Sequence, residues 1–231
     1  MAVMGKILFA AAYGVFAAFW IRFFAHALVW WKAASRLRGT AGQAIRPRVK
    51  TYALTAMDVI FFGRLLVVNP ALWLGEWVFH FSFFLVLLRH LRFFLNPVPA
   101  CIWWVQTPGL IAGYILPVSL VYILIVRLFS GRERYASPAN VFLLGLVLVI
   151  SSLGVAMNLL FKPNLVEVKL FVLGILSFMP VAAPKSVLFA VHFCMVLVLI
   201  PFLPTHIFLA PFVMMEARKR EQALHLVMHE K

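Results

Sequence analysis

The chain has 231 residues, 65% of them hydrophobic, and carries a formal net charge of +14. Its mean hydropathy is +1.01. A soluble domain is nearer half apolar, so the composition excludes a soluble globular fold and indicates an integral membrane protein. The positive charge does not point to nucleic acid, because the basic residues gather in loops beside apolar runs, the pattern of membrane topology.

A span needs about 20 apolar residues. Five are predicted, at 7–30, 73–95, 107–129, 139–161 and 186–210, giving an all-α membrane protein, a five-helix bundle in one domain, 1–231. The first apolar run is too long for a signal core and lacks a small-residue cleavage site, so no cleavable leader is expected. The stretch 51–68 contains Asp58 and Arg64 and reads as an interfacial helix. The spans from 107 and from 139 are almost free of charge, and Asn96–Pro97 and Ser137–Pro138 help to bound them. The stretch 165–179, with Glu167 and Lys169, is too short to cross comfortably and is expected on the surface or as a re-entrant segment.

Basic residues set the orientation. The loop after the first span (Lys32 to Lys50), the loop after the third (Arg127, Arg132, Arg134) and the tail (Arg218, Lys219, Arg220, Lys231) hold thirteen, against six on the other side. The positive-inside rule then places the N-terminus outside and the C-terminus in the cytoplasm, in a multi-pass protein of the inner (cytoplasmic) membrane. Cys101 and Cys194 form no CxxC pair, so they hold no iron–sulfur cluster or zinc unaided. Both are expected in the core. No CxxCH occurs, so any haem is not covalently attached.

Four histidines lie inside apolar spans, where ionisable side chains are functional candidates by default. His80 and His90 are ten residues apart in the second span, and His192 and His206 fourteen apart in the fifth. At 1.5 Å per residue the separations are about 15 Å and about 21 Å, and both pairs stay within one broad helical face. Pro201 and Pro204 could bend the fifth span and absorb the mismatch. Because the two spans run in opposite directions, His90 falls level with His192 toward the outside and His80 with His206 toward the cytoplasm. Four imidazoles so arranged could supply both axial ligands of two b-type haems, low-spin iron centres that transfer electrons and leave no open position. Histidines that only hydrogen-bond across the bundle, or that relay protons, are the alternatives. A relay ordinarily enlists carboxylates, and Glu76 is the one at hand. Arg89 and Arg92 flank His90, and Arg22 lies one turn from His26. These arginines could meet haem propionates or snorkel to lipid headgroups. His225 and His229 belong to the polar tail and are expected at solvent or a partner surface. No nucleophile, phosphate loop or hydrolase motif appears, so no catalytic residue is assigned.

These residues resemble a known family. Trp77-Val-Phe-His80, Arg89-His90-Leu-Arg92, the turn Arg127-Leu-Phe-Ser130 and the segment from Pro201 through His206 to Pro211 are similar to the gamma subunit of respiratory nitrate reductase and to cytochrome b subunits of heterodisulfide-reductase-like and sulfite-reduction-associated membrane complexes. The likeness covers nearly the whole chain. The fourteen-residue spacing and the lack of lysine around Cys101 to Gln106 depart from the nitrate reductase gamma subunits, and the insertion 51–69, with Arg64-Leu-Leu and Asn69-Pro70, looks more like the sulfur-metabolism relatives.

The resemblance implies two b haems ligated by His80, His90, His192 and His206. It implies a membrane quinone, menaquinone or ubiquinone, docking near the outer haem, with Arg89, Arg92 and Gln106 as candidate contacts. It further implies a cytoplasmic iron–sulfur partner of nitrate-reductase-like or heterodisulfide-reductase-like type. The expected function is that of a membrane-anchoring electron-transfer subunit of a quinone-dependent oxidoreductase complex in anaerobic respiration. The rivals are a proton or ion transporter built on intramembrane histidines and a haem-free structural anchor.

Overall fold

A computed structural model describes residues 2–40, 49–129 and 138–229, and no strand occurs among them. The helices, in chain order, are α1 (Ala2–Thr40), α2 (Val49–Phe61), α3 (Gly63–Val68), α4 (Pro70–His90), α5 (Ala100–Trp104), α6 (Gln106–Phe129), α7 (Pro138–Leu159), α8 (Leu165–Leu176), α9 (Val187–Leu199) and α10 (Leu203–His229). Four stretches are long and apolar enough to cross a bilayer: Val3–Val29, Pro70–Phe93, Gln106–Phe129 and Pro138–Leu159. They match the first four expected spans. The stretch expected as a fifth span is not one helix. A 3-10 turn, Ile200–Phe202, separates α9 from α10, because Pro201 contributes no N–H to an α-helical ladder. The basic loop residues Arg46, Arg48, Arg132 and Arg134, and Lys231, lie outside the described residues.

The chain forms two compact units. The first comprises Met1–Val15 and Asn69–Leu199, and the second Phe16–Val68 and Ile200–Lys231.

In the first unit α4 packs on α6, α6 on α7, and α7 on α9. The start of α4 is written locally. Asn69 Oδ1 accepts from the Leu72 N–H at 3.0 Å, and Pro70 occupies the first turn, where no N–H is needed. Small residues then let α4 and α6 approach, as is usual between membrane helices. A Cβ at Gly75 would lie 2.7 Å from Tyr122 Cδ1, and one at Gly109 would lie 2.9 Å from the Leu85 carbonyl oxygen. Tyr122 also donates its hydroxyl to the Ala71 carbonyl at 3.1 Å. Between α6 and α7, Asn158 Nδ2 donates to the Tyr114 hydroxyl.

The short helix α8 buries one face and exposes the other, where Val166 and Leu170 lie. Phe171, on its inner face, is fully buried among Leu8, Phe9, Val168, Ala183 and Phe189, with Phe9, Phe189 and Phe193 all edge-on to its ring. The helix stops at Phe178, whose φ of 59° is a left-handed conformation usually left to glycine. The Met179 N–H reaches back to the Gly174 carbonyl at 3.0 Å and closes the turn. Phe178 stacks on Tyr13 with ring centroids 5.3 Å apart, and Tyr13 donates its hydroxyl to the Ile175 carbonyl at 2.6 Å.

In the second unit α2 packs on α10, and its polarity is inverted. Thr51, Thr55 and Asp58, one stripe at helical spacing, are buried, while Tyr52, Met57, Ile60 and Phe61 are exposed. A helix with an apolar outer face suits lipid rather than water. Thr51 Oγ1 donates to Gln222 Oε1 at 2.7 Å. Asp58, 2% exposed, accepts from Arg218 through both carboxylate oxygens, at 2.7 and 2.9 Å, and from Arg64 Nε at 3.2 Å. Burial alone would raise the Asp58 pKa, but the Arg218 and Arg64 guanidinium groups override it and hold the carboxyl below its usual range. Phe62, with φ of 51°, breaks α2 from α3. The expected interfacial helix is thus two helices, the first anchored by a polar stripe. Cys101 and Cys194 are free thiols, and both are exposed rather than in the core.

Candidate haem ligands

His80 and His90 share the single unbroken helix α4. Each ring is fixed the same way. His80 Nδ1 lies 2.7 Å from the Glu76 carbonyl oxygen, and His90 Nδ1 lies 2.7 Å from the Val86 carbonyl oxygen, one turn earlier in each case. A carbonyl only accepts, so Nδ1 carries the proton and donates. Nε2 is then the nitrogen with a lone pair, and the ring's orientation is set, as second-shell contacts do for metal-bound histidines.

His192 lies on α9, where it faces α7 at Gly154. A Cβ at Gly154 would stand 3.7 Å from His192 Cε1. Its Nδ1 is buried and makes no hydrogen bond of good geometry among the described residues. His192 and His90 are within electrostatic range of one another, although α4 and α9 are not one of the tightly packed helix pairs of this unit. His206 belongs to the first turns of α10. Its side chain, and those of His225 and His229, lie outside the described residues.

The basic candidates are placed as follows. Arg92 Nη1 donates to Gln106 Oε1 at 2.9 Å, and its guanidinium sits 4.7 Å from the Phe93 ring centroid. Gln106 Nε2 donates in turn to the Ile102 carbonyl at 3.0 Å. Gln106 Nε2 also donates to the Arg89 carbonyl at 3.5 Å, so Gln106 meets both of the other residues expected near a quinone. The Arg89 stem packs against Gly109. A cleft of about 400 Å³ opens beside Arg92, lined by Phe93, Asn96, Trp103, Lys169 and Leu170 among others. Lys169 and Asn96 join this region through the fold; the sequence marks Asn96 only as a boundary residue and Lys169 only as a charge in a short apolar stretch. Arg22 lies over the Phe202 ring, 5.6 Å from its centroid.

The donor set fits haem better than a bare ion. No cluster of three or more His, Cys, Asp or Glu that could hold a metal occurs among the described residues. A haem brings four nitrogens of its own and asks only two from the protein. His80 and His90, each with Nδ1 tied back to α4, are each suited to supply one such nitrogen.

Comparison with known proteins gives two relatives, both from Archaeoglobus species. The chain is 33% identical over 149 residues to the Hdr-like menaquinol oxidoreductase cytochrome b-like subunit of Archaeoglobus profundus, covering 58% of this chain and 44% of that protein. It is also 33% identical over 149 residues to the protein of the same name from Archaeoglobus fulgidus, covering 58% of this chain and 45% of the relative. The chain spans under half the length of the curated relatives it matches. No protein-family model matches, and no solved structure matches. The relatives bear out the resemblance to the heterodisulfide-reductase-like membrane cytochrome b subunits.

Proposed function

We propose that this chain is a membrane cytochrome b subunit that binds two b haems and carries electrons between a menaquinone-type quinol and a cytoplasmic iron–sulfur partner. The observation that carries the reading is the matched pair on α4, where His80 and His90 have Nδ1 held by the carbonyl one turn earlier. His80, His90, His192 and His206 are the proposed ligands, and the sequence spacing alone pairs His90 with His192 and His80 with His206. The relatives' name supports a quinol-linked complex, and the four apolar helices support a multi-pass membrane location.

When bound, each haem supplies one-electron chemistry. The protein's own work is to hold the imidazoles, keep water from them with apolar helix faces, and place charge around them. Arg89 and Arg92 put two cations within one turn of His90, suited to haem propionates or to a quinone oxygen. Gln106 orients Arg92 from α6. The basic residues expected on the cytoplasmic side would complement an acidic partner surface. Orientation in the inner membrane follows the positive-inside pattern.

The test is a dithionite-reduced minus oxidised spectrum with a pyridine haemochrome assay on the purified full chain. Two b haems per chain are expected, one lost in H90A or H192A and the other in H80A or H206A. A folded, haem-free preparation would overturn the reading and return the histidines to packing or proton transfer.

A further inference from the structure

Glu76 is the sole carboxylate on α4, α6, α7 and α9. An acid inside a span is costly unless paired. Its side chain is 13% exposed, and Arg127 Nη2, from the last turn of α6, donates to Glu76 Oε1 at 2.7 Å. Two further observations set this pair apart from a plain helix clasp. Glu76 Oε2 lies 3.8 Å from His80 Nδ1, while the main-chain carbonyl of the same residue accepts the His80 N–H. One residue therefore both aims the ring and sets a negative charge against it. Arg127 also keeps two buried nitrogens, Nε and Nη1, that have no hydrogen-bond partner among the described residues. Among the described residues nothing similar surrounds His90, where Val86 supplies the carbonyl and the nearby charges are the cations Arg89 and Arg92.

We propose that Glu76 and Arg127 form a charge pair that tunes the haem ligated by His80. The carboxylate stabilises the more positive, oxidised iron through the imidazole. Arg127 holds the carboxylate in place and offers its two remaining donors to an acidic side group of the same haem. Both are positioning residues, acting through His80 and the haem periphery. The proposal rests on the dihaem reading above.

The experiment is an optical redox titration of the purified full chain, comparing wild type, E76Q, R127Q and the double variant. H80A identifies which midpoint belongs to the His80 centre. E76Q is expected to raise that midpoint, R127Q to lower it, and the double variant to fall between them, with the other midpoint unmoved throughout. Shifts of the same sign in both single variants, or none, would reduce the pair to a clasp between α4 and α6 and overturn the proposal. If either variant fails to retain haem, E76D and R127K keep both charges while moving them. An unmoved midpoint in both would then overturn it. Wild-type protein without haem would instead overturn the dihaem reading itself.

Discussion

Gly109 and Gly113 sit one turn apart on α6, and alanine should separate them sharply. A Cβ at Gly109 would stand 2.7 Å from Arg89 Cβ and 2.9 Å from the Leu85 carbonyl oxygen. Neither neighbour is a flexible tip, since one is a stem carbon and the other backbone. Ordinary contact begins near 3.4 Å, so α4 and α6 must part by roughly half an ångström in an interior packed as densely as a crystal. Overpacking of this kind costs about 1–3 kcal/mol. At Gly113 the nearest atom to a new Cβ would be Val86 Cγ2 at 3.9 Å. Alanine there meets no obstacle and removes glycine's entropic penalty, a gain of about 0.5–1 kcal/mol. Thermal unfolding of the detergent-solubilised chain, followed by circular dichroism, should show G109A melting several degrees below wild type and G113A at or above it. G109A should also perturb the spectrum of the haem assigned to His90, since the displaced segment is the turn before that residue. Equal melting temperatures for the two variants would refute the close-approach argument for α4 and α6.

Other outcomes follow from the second unit and from single contacts. D58A removes hydrogen bonds to a buried charge and should cost about 1.5–3 kcal/mol, seen as faster hydrogen exchange or proteolysis in α10. The pH dependence has a definite sign. Asp58 is held below its ordinary pKa when folded, so its contribution is present above the unfolded value near 3.9 and is lost as pH falls through the folded one. Protection of α10 should therefore be flat from about pH 5 to 8 and fall only in stronger acid, and D58N should abolish the fall. Y114F breaks the Asn158 contact between α6 and α7 and should cost about 0.6–1.7 kcal/mol, the range for such bonds between membrane helices. A variant as stable as wild type would show that Asn158 finds another partner.

The four long spans were legible because an unbroken apolar run needs no knowledge of partners, and the caps at Asn69 and Pro70 are local. The histidines of α4 were legible for the same reason. The inverted polarity of α2 was not. Hydrophobic periodicity marks two faces but not which one looks inward, and where lipid replaces water the usual assignment reverses. Nor does the sequence join Asp58 to Arg218, which is 160 residues away. The left-handed stops at Phe62 and Phe178 carry no glycine to announce them. At Phe178 the Tyr13 stack supplies what the backbone rule could not foresee. Cys101 and Cys194 were expected inside because a small thiol resembles a core residue, and an exposed thiol is equally at home against lipid.

The continuity of α4 has a consequence for timing. Electron hops slow steeply with distance, so a relay built from separately mounted centres is at the mercy of every relative motion of its mounts. Here two proposed ligands ride on one rod without a proline between them, set about 15 Å apart along its axis by ten residues of α-helical rise. The bundle can breathe and α9 can swing without changing that spacing on the α4 side. The backbone hydrogen-bond ladder of a single helix would thus serve as the gauge block of the proposed wire.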